Sequence, residues 1–386
     1  MIYERDLSFN YVAPTKVIFG PGSLRDLALE VRTLGTRAFL VTDPGVIAAG
    51  LAGKVREALG PLLAGEFSDV PQDTGMEVVD AGAAAAAQAG ADVVVSLGGG
   101  SVMDTAKGIC LLLKEGGSLR DHQGMQLLTR PQTPHVAVPT TAGTGSEVSA
   151  GAVILDQAQG QKILIWEYHL IPNVALLDPE LTVGLPPHLT ASTGMDAMTH
   201  AVECYMSQQR NPLSDAAALH AIRLITRHLP TAVDKGSDLV ARGQMQIAAL
   251  LAGWAFSNAL LGLVHAMAHS LGAVCRLPHG LANGLLLPHV MRFNLETVPG
   301  LMADVGVAMG AALPGQPPEE AGLAAVEAMA ALVHRIGLPA GLGAAGVDKK
   351  DLAACAALAM TDGSIIYNPR MVLEPEEVLE VYHKAY

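Results

Sequence analysis

Aromatic side chains make up only 4% of this 386-residue chain, and charged ones only 16%, so Ala and Gly must do much of the packing. Cysteine is rare as well. Cys110, Cys204, Cys275 and Cys355 lie far apart with no CxxC spacing. That excludes a disulfide framework and a thiolate zinc site, and it fits a reducing cytoplasm. Basic residues are in deficit, 24 Lys and Arg against 37 Asp and Glu, for a net charge of −13. Nucleic acid and anionic membrane both call for basic surface, so neither is an expected partner. The opening MIYERDLSFNYVAPTK lacks the apolar core of a signal peptide. No GxSxG nucleophile elbow appears, and no Walker A lysine follows either glycine-rich loop, which disfavours Ser-dependent hydrolysis and phosphoryl transfer. One long uncharged run, Ala248 to Cys275, imitates a membrane span. It also carries Ser257, Asn258, His265, His269 and Ser270, which are costly in hydrocarbon. A buried helical pair is the better reading.

What is present is organised in two textures. At this length two domains are expected. Up to residue 185 strands and helices alternate. Arg37 to Asp43, Ala91 to Leu97, His135 to Pro139 and Asn173 to Leu177 read as strands, and Glu77 to Ala89 and Val102 to Glu115 as helices. Ala152 to Leu155 and Lys162 to Trp166 read as a hairpin around Gln157 to Gly160. Alternation of this kind predicts an α/β domain with a mostly parallel sheet. After Leu185-Pro186-Pro187 the chain becomes rich in Ala, Leu, Met and His, as an all-α domain should be. The expected division is therefore 1–185 and 186–386. Leu313 to Pro318 reads as a loop between helices.

Two glycine-rich stretches follow expected strands. Gly98, Gly99, Gly100 and Ser101 lie between a strand and a helix, where bare backbone N–H groups meet a pyrophosphate. Thr140, Thr141 and Thr144 belong to a second such loop, running to Ser146. Two loops at the carboxyl ends of neighbouring strands are what a dinucleotide crevice needs. Asp43 ends the first strong strand, where a carboxylate accepts from ribose hydroxyls and repels a 2′-phosphate; this favours NAD, although a turn or helix-capping role explains the same residue. Lys162 stands between apolar neighbours and reads either as a phosphate or ribose contact or as a solvated hairpin residue.

Histidine supplies the second constellation. Asp196 and His200 stand at i, i+4 and share one helix face. The stretch Gly262 to His289 holds His265, His269, His279 and His289, with Arg276 as its one charged residue. A carboxylate with several neutral imidazoles makes a site for Fe²⁺ or Zn²⁺. His265 and His269 are also i, i+4, so spacing ranks Asp196, His200 and His265 first and leaves His279 and His269 open. Pro278-His279-Gly280 reads as a loop presenting its imidazole, and Pro288-His289 as a helix start. Trp254 and Phe256 read equally as pocket lining or core.

These segments, with Asp104-Thr105-Ala106-Lys107, Pro139 to Glu147, Leu176 to Pro179, Thr193 to Glu203 and Asn368-Pro369-Arg370, resemble the iron-dependent (group III) alcohol dehydrogenases over nearly the whole chain. The resemblance implies a dehydroquinate synthase-like architecture, with a dinucleotide-binding domain, an all-helical domain and the active site in the cleft between. It implies metal ligands at Asp196, His200, His265 and His279, and His269 near substrate and nicotinamide; a histidine there is the candidate catalytic proton relay, because its ordinary pKa is near neutral. It adds Asp104 and Leu181 to the cofactor-binding set. Ala255 to Asn258 before Gly262 and the terminal VYHKAY point to members acting on the lactaldehyde/1,2-propanediol pair. Gln72-Asp73 departs from the Asn-Pro common in relatives. The function implied is hydride transfer between NAD(H) and a small alcohol or diol in a cytoplasmic homodimer. The alternatives are a dehydroquinate-synthase-like lyase and a non-catalytic metal-binding protein. The lyase needs clustered basic residues that 186–290 do not offer beside the ligand motifs.

Overall fold

The structure, a computed structural model, describes residues 8–159 and 161–386. Its strands are β1 (Lys16–Phe19), β2 (Ala38–Thr42), β3 (Leu63–Phe67), β4 (Val93–Gly98), β5 (Gly124–Met125), β6 (His135–Pro139), β7 (Gly151–Asp156), β8 (Gln161–Trp166) and β9 (Val174–Leu177). Among them run α1 (Leu27–Leu34), α2 (Pro44–Ala48), α3 (Leu51–Leu59), α4 (Met76–Gln88) and α5 (Gly100–Glu115). After β9 come α6 (Pro187–Met206), α7 (Pro212–Asp234), α8 (Leu239–Ala259), α9 (Leu263–Cys275), α10 (His279–Asn294), α11 (Pro299–Ala308), α12 (Pro318–Arg335), α13 (Leu352–Ala359) and α14 (Pro375–Ala385).

Six strands form one parallel sheet in the order β1-β9-β6-β4-β2-β3. The central strands AFLVT, VVVSLG and HVAVP are buried throughout, the continuous apolar runs expected of a sheet covered on both faces. Successive residues serve opposite faces. Phe39, Val41 and Val94 enter one apolar cluster, and Ala38, Leu40, Val93 and Val95 enter the other. β7 and β8 make the expected antiparallel hairpin, pairing Gly151 with Trp166 through Asp156 with Gln161.

β2 pairs with both β3 and β4. The chain therefore moves outward from β2 to β3, then returns across it to β4 and on to β6. A reversal of strand order opens a crevice at the carboxyl ends of the strands. The carboxyl ends of β2, β4 and β6 carry Asp43, Gly99 to Ser101 and Thr140 to Ser146.

Two compact units are present. One comprises the described residues of Pro14–Ala197 and Leu224–Gly253, the other the described residues before Pro14, Met198–Arg223 and Trp254–Tyr386. The strands end before residue 185, yet compactness does not follow a single cut there, because the helical Leu224–Gly253 groups with the sheet. The uncharged run from Ala248 is divided between α8 and α9, which are bent by 103° at the break. Among the described residues no single helix is long and apolar enough to cross a membrane.

Two local expectations are corrected. His279 lies not in a loop but at the first position of α10, with Pro278 as its N-cap. Pro288 does not start a helix either; it lies inside α10.

Candidate functional site

The histidines of α9 and α10 and the face of α6 converge. Ligand atoms of Asp196, His200, His265 and His279 all lie within 4.8 Å of one another. Asp196 and His200 are one turn apart on α6, so the helix itself sets their spacing. His265 sits in the first turn of α9, and His279 opens α10. Asp196, His200 and His265 are buried and His279 is half-buried. The His200 ring stacks on Phe256 at 4.5 Å between centroids and on His265 at 4.7 Å. Phe256 thus packs directly on a cluster imidazole.

The protonation state of His265 favours metal binding. Burial, reinforced by His200, His279 and His269, holds the His265 imidazole well below its ordinary pKa and therefore neutral. His265 Nδ1 lies 2.6 Å from Glu203 Oε2, and a carboxylate there accepts the Nδ1 proton. Asn283 Nδ2 lies 3.3 Å from His265 Nε2 and 3.1 Å from His279 Nε2, so one amide nitrogen meets both imidazole edges. One carboxylate and three imidazoles gathered this closely, His265 among them neutral, fit a divalent metal of the Fe²⁺ or Zn²⁺ kind. His289 lies outside this group.

His269 lies one turn beyond His265, its ring stacked on His279 at 5.3 Å. Its Nδ1 is 2.7 Å from Asp362 Oδ2. Burial works to raise the Asp362 carboxyl, but hydrogen bonds from His269 and Ser364 outweigh it and hold the pKa at about 2. An anionic Asp362 fixes the His269 ring and leaves Nε2 as its free edge.

The sheet unit carries the second constellation. Gly99 is the N-cap of α5 and supplies no side-chain cap, leaving the first-turn N–H groups without a side-chain acceptor. A Cβ on Gly99 would lie 3.3 Å from Thr141 Cγ2, and one on Gly100 would lie 2.7 Å from Thr144 Cγ2. Glycine therefore lets the first loop lie against the second. Beneath them Asp104 accepts from Ser146 Oγ at 2.8 Å and from Val153 N–H at 3.0 Å, so its carboxylate braces the second loop against β7. Lys107 is fully buried and donates to Ser146 Oγ, Ser149 O and Gly151 O at 2.7–2.9 Å. Asp43 accepts from Val46 N–H at 2.8 Å and caps α2. Lys162 pairs with Asp73 at 2.6 Å, and Leu181 is buried in the apolar core. The structure thus brings together Gly98 to Ser101, Thr140, Thr141 and Thr144, while Asp43, Asp104, Lys162 and Leu181 each have a structural employment.

Residues 14–179 match the model of the iron-containing alcohol dehydrogenases, and residues 190–386 match that of the C-terminal domain of the Fe-containing alcohol dehydrogenase family. The chain belongs to the iron-containing alcohol dehydrogenases. It is 42% identical to a 1,3-propanediol dehydrogenase of Citrobacter freundii, covering 98% of this chain and 99% of that one. It is 39% identical to a lactaldehyde reductase of Escherichia coli (95% and 97% covered) and 37% identical to an NAD-dependent methanol dehydrogenase of Bacillus methanolicus (97% and 99% covered). The crystal structure of a 1,3-propanediol oxidoreductase superposes with a TM-score of 0.95 at 40% identity, over 98% of this chain and 100% of that one. The expected enzyme class, an NAD-dependent alcohol dehydrogenase of the iron type, is the class found, and the expected fold is the fold found. Within this iron-type dehydrogenase the sequence reading overlooked Glu203, Asp362 and Lys107 as partners of site groups. Glu203 had a visible signal, since it stands seven residues after Asp196 on the same helix stripe.

Proposed function

We propose that this dehydrogenase transfers hydride reversibly between NAD(H) and a small primary alcohol or diol, with Asp196, His200, His265 and His279 holding the metal. The single observation that carries this reading is the convergence of those four ligand atoms within 4.8 Å, with three of the four residues buried. A bound Fe²⁺ or Zn²⁺ supplies Lewis acidity toward an alcohol oxygen, and NAD supplies the hydride acceptor. The protein does the rest. Three imidazoles and the Asp196 carboxylate supply the donors. Asp362 holds the His269 ring by Nδ1, so that Nε2 is the atom that takes up and passes on the proton. The first-turn N–H groups of α5, with Gly98 to Ser101 and Thr140, Thr141 and Thr144, hold the pyrophosphate. Asp43 accepts from the adenosine ribose and disfavours a 2′-phosphate. Asp104 acts by bracing the second loop, while Lys162 and Leu181 flank the cofactor.

The substrate proposed is the lactaldehyde/1,2-propanediol pair, with 1,3-propanediol and methanol as competitors drawn from the named relatives. The reading includes a dinucleotide-binding domain at 1–185 and a metal-binding helical domain at 186–386, in a cytoplasmic homodimer. The test is His265→Ala: it should lose both bound metal and turnover. Full metal stoichiometry with normal activity would refute the ligand set. A screen of C2–C4 alcohols and diols with NAD⁺ and NADP⁺, on protein reloaded with Fe²⁺ or Zn²⁺, ranks the substrates.

A further inference from the structure

Glu203 is 3% exposed and carries a carboxylate with both oxygens committed. Oε2 meets His265 Nδ1 at 2.6 Å, and Oε1 accepts the Val264 N–H at 2.5 Å. The second contact falls in the opening turn of α9, whose N-cap, Gly262, has no side chain to satisfy the orphan donors there. Glu203 therefore does from α6 what an N-cap side chain does locally, and the positive end of α9 favours its anionic form. Burial outweighs the hydrogen bonds from the Gly262, Val264 and His265 backbones and pushes this carboxyl up to about 8 in the metal-free protein. One proton is shared along the 2.6 Å contact between Oε2 and His265 Nδ1, and it lies on Nδ1 whenever Nε2 is a metal ligand.

The two halves of this arrangement act on one side chain. By accepting the Nδ1 proton, Glu203 selects the His265 tautomer whose lone pair is on Nε2. By gripping Val264 N–H, it fixes the backbone immediately before His265. Asn283 Nδ2, 3.3 Å from Nε2, is consistent with that tautomer, because an amide N–H donates to a bare ring nitrogen. Gly262 permits the approach: a Cβ there would lie 3.1 Å from Glu203 Oε1 and 3.3 Å from Asn368 Oδ1.

We infer that Glu203 is the positioning residue for the metal site, setting the tautomer and orientation of His265 and, through them, the affinity for the metal; the inference rests on the ligand set proposed above. A carboxylate behind a metal-bound histidine is worth 10–100-fold in metal affinity on removal, by general experience of such sites. Glutamine at 203 has one acceptor oxygen for two N–H donors, so it can serve Val264 or His265 but not both.

The experiment measures Fe²⁺ and Zn²⁺ dissociation constants of the full chain by competition with a chromophoric chelator, for wild type, Glu203→Gln and Gly262→Ala, with circular dichroism to verify folding. Glu203→Gln should weaken metal binding by 10–100-fold. Gly262→Ala keeps the carboxylate but crowds Oε1, and should weaken binding in the same direction by less. Gly262 has a negative φ of −133°, so alanine there meets no left-handed penalty, and this variant decides the matter if Glu203→Gln does not fold. Wild-type affinity in folded Glu203→Gln, or in Gly262→Ala where that variant alone folds, overturns the inference. A wild type that binds neither metal instead overturns the ligand set.

Discussion

Replacing Lys107 by methionine isolates the energetics beneath the two glycine loops. Methionine keeps an unbranched stem of similar length and removes only the ammonium. The structure assigns that ammonium three hydrogen bonds of 2.7–2.9 Å and a longer one of 3.4 Å to Ser149 Oγ, at a site with no exposure. Its loss strands the carbonyls of Ser149 and Gly151 and leaves Asp104 and Glu147 without their nearby cation. Removing one partner from a buried charged network costs about 3–5 kcal/mol, so Lys107→Met should lose about that much unfolding free energy at neutral pH. The metal-free protein is the proper sample, because bound metal would add its own linkage.

Proton linkage supplies an internal check on this figure. Burial lowers the Lys107 pKa from 10.5 to about 8 in the folded protein. Between those values the unfolded chain binds more protons than the folded one, so stability rises with pH. This contribution is fully present above 10.5 and is lost as pH falls through about 8. Across pH 7.5 to 9.5 the penalty of Lys107→Met should grow by about 2 kcal/mol. Groups that do not feel Lys107 are common to both proteins and cancel in the difference, whereas Glu147, which Lys107 lowers, rises further from about 7 in the variant and adds to the growth. Urea unfolding followed by fluorescence at a series of pH values measures it. A penalty under about 1 kcal/mol, or one flat or falling with pH, would refute the account of Lys107 as a buried, charged tie.

Two further substitutions probe the loops. Gly145 has φ +62°, and its Cβ would lie 2.6 Å from Gly253 Cα. Gly145→Ala should therefore lower the melting temperature through a left-handed penalty of about 1–2 kcal/mol plus a backbone clash, and wild-type melting would disprove the close approach. Asp43 separates capping from recognition: Asp43→Asn keeps the α2 cap, whereas Asp43→Ala should cost about 1 kcal/mol. If Asp43 also faces the ribose, Asp43→Asn should raise kcat/KM with NADP⁺ relative to NAD⁺ while melting like wild type; an unchanged ratio leaves Asp43 with the cap alone.

The central strands were legible because burial on both faces leaves an uninterrupted apolar signature, as in Phe39-Leu40-Val41 and Val93-Val94-Val95. β1 and β3 were not, because they are the sheet's edges. KVIF begins and ends exposed, and LAGEF is half-buried throughout with a glycine inside it. His279 was misplaced because Pro278 and Gly280 are turn-formers locally, yet proline is equally at home at a helix start. The compact units were out of reach for another reason. Which helices group with the sheet depends on contacts between residues far apart in the chain, and local periodicity carries none of that.

The candidate metal centre was legible for a reason that also explains its construction. Asp196, His200 and Glu203 stand at i, i+4 and i+7, one stripe of α6. The spacing that marked the first two as a pair is the spacing that holds them rigidly together. The third member of the stripe reaches across to α9 and meets His265, one of the two proposed ligands that α6 does not itself provide. Three of the four donors are thus governed by a single helical face. Arg242 anchors the start of that helix through Leu185 O and Thr190 Oγ1. Gly194 admits Leu229 to within 2.3 Å of where a Cβ would stand, which places α7 hard against the same helix. Only His279 depends on α10, and it is the half-buried member of the set. Geometry at this candidate centre is therefore inherited mainly from α6, and residues that seat that helix should bear on metal affinity without touching a proposed ligand.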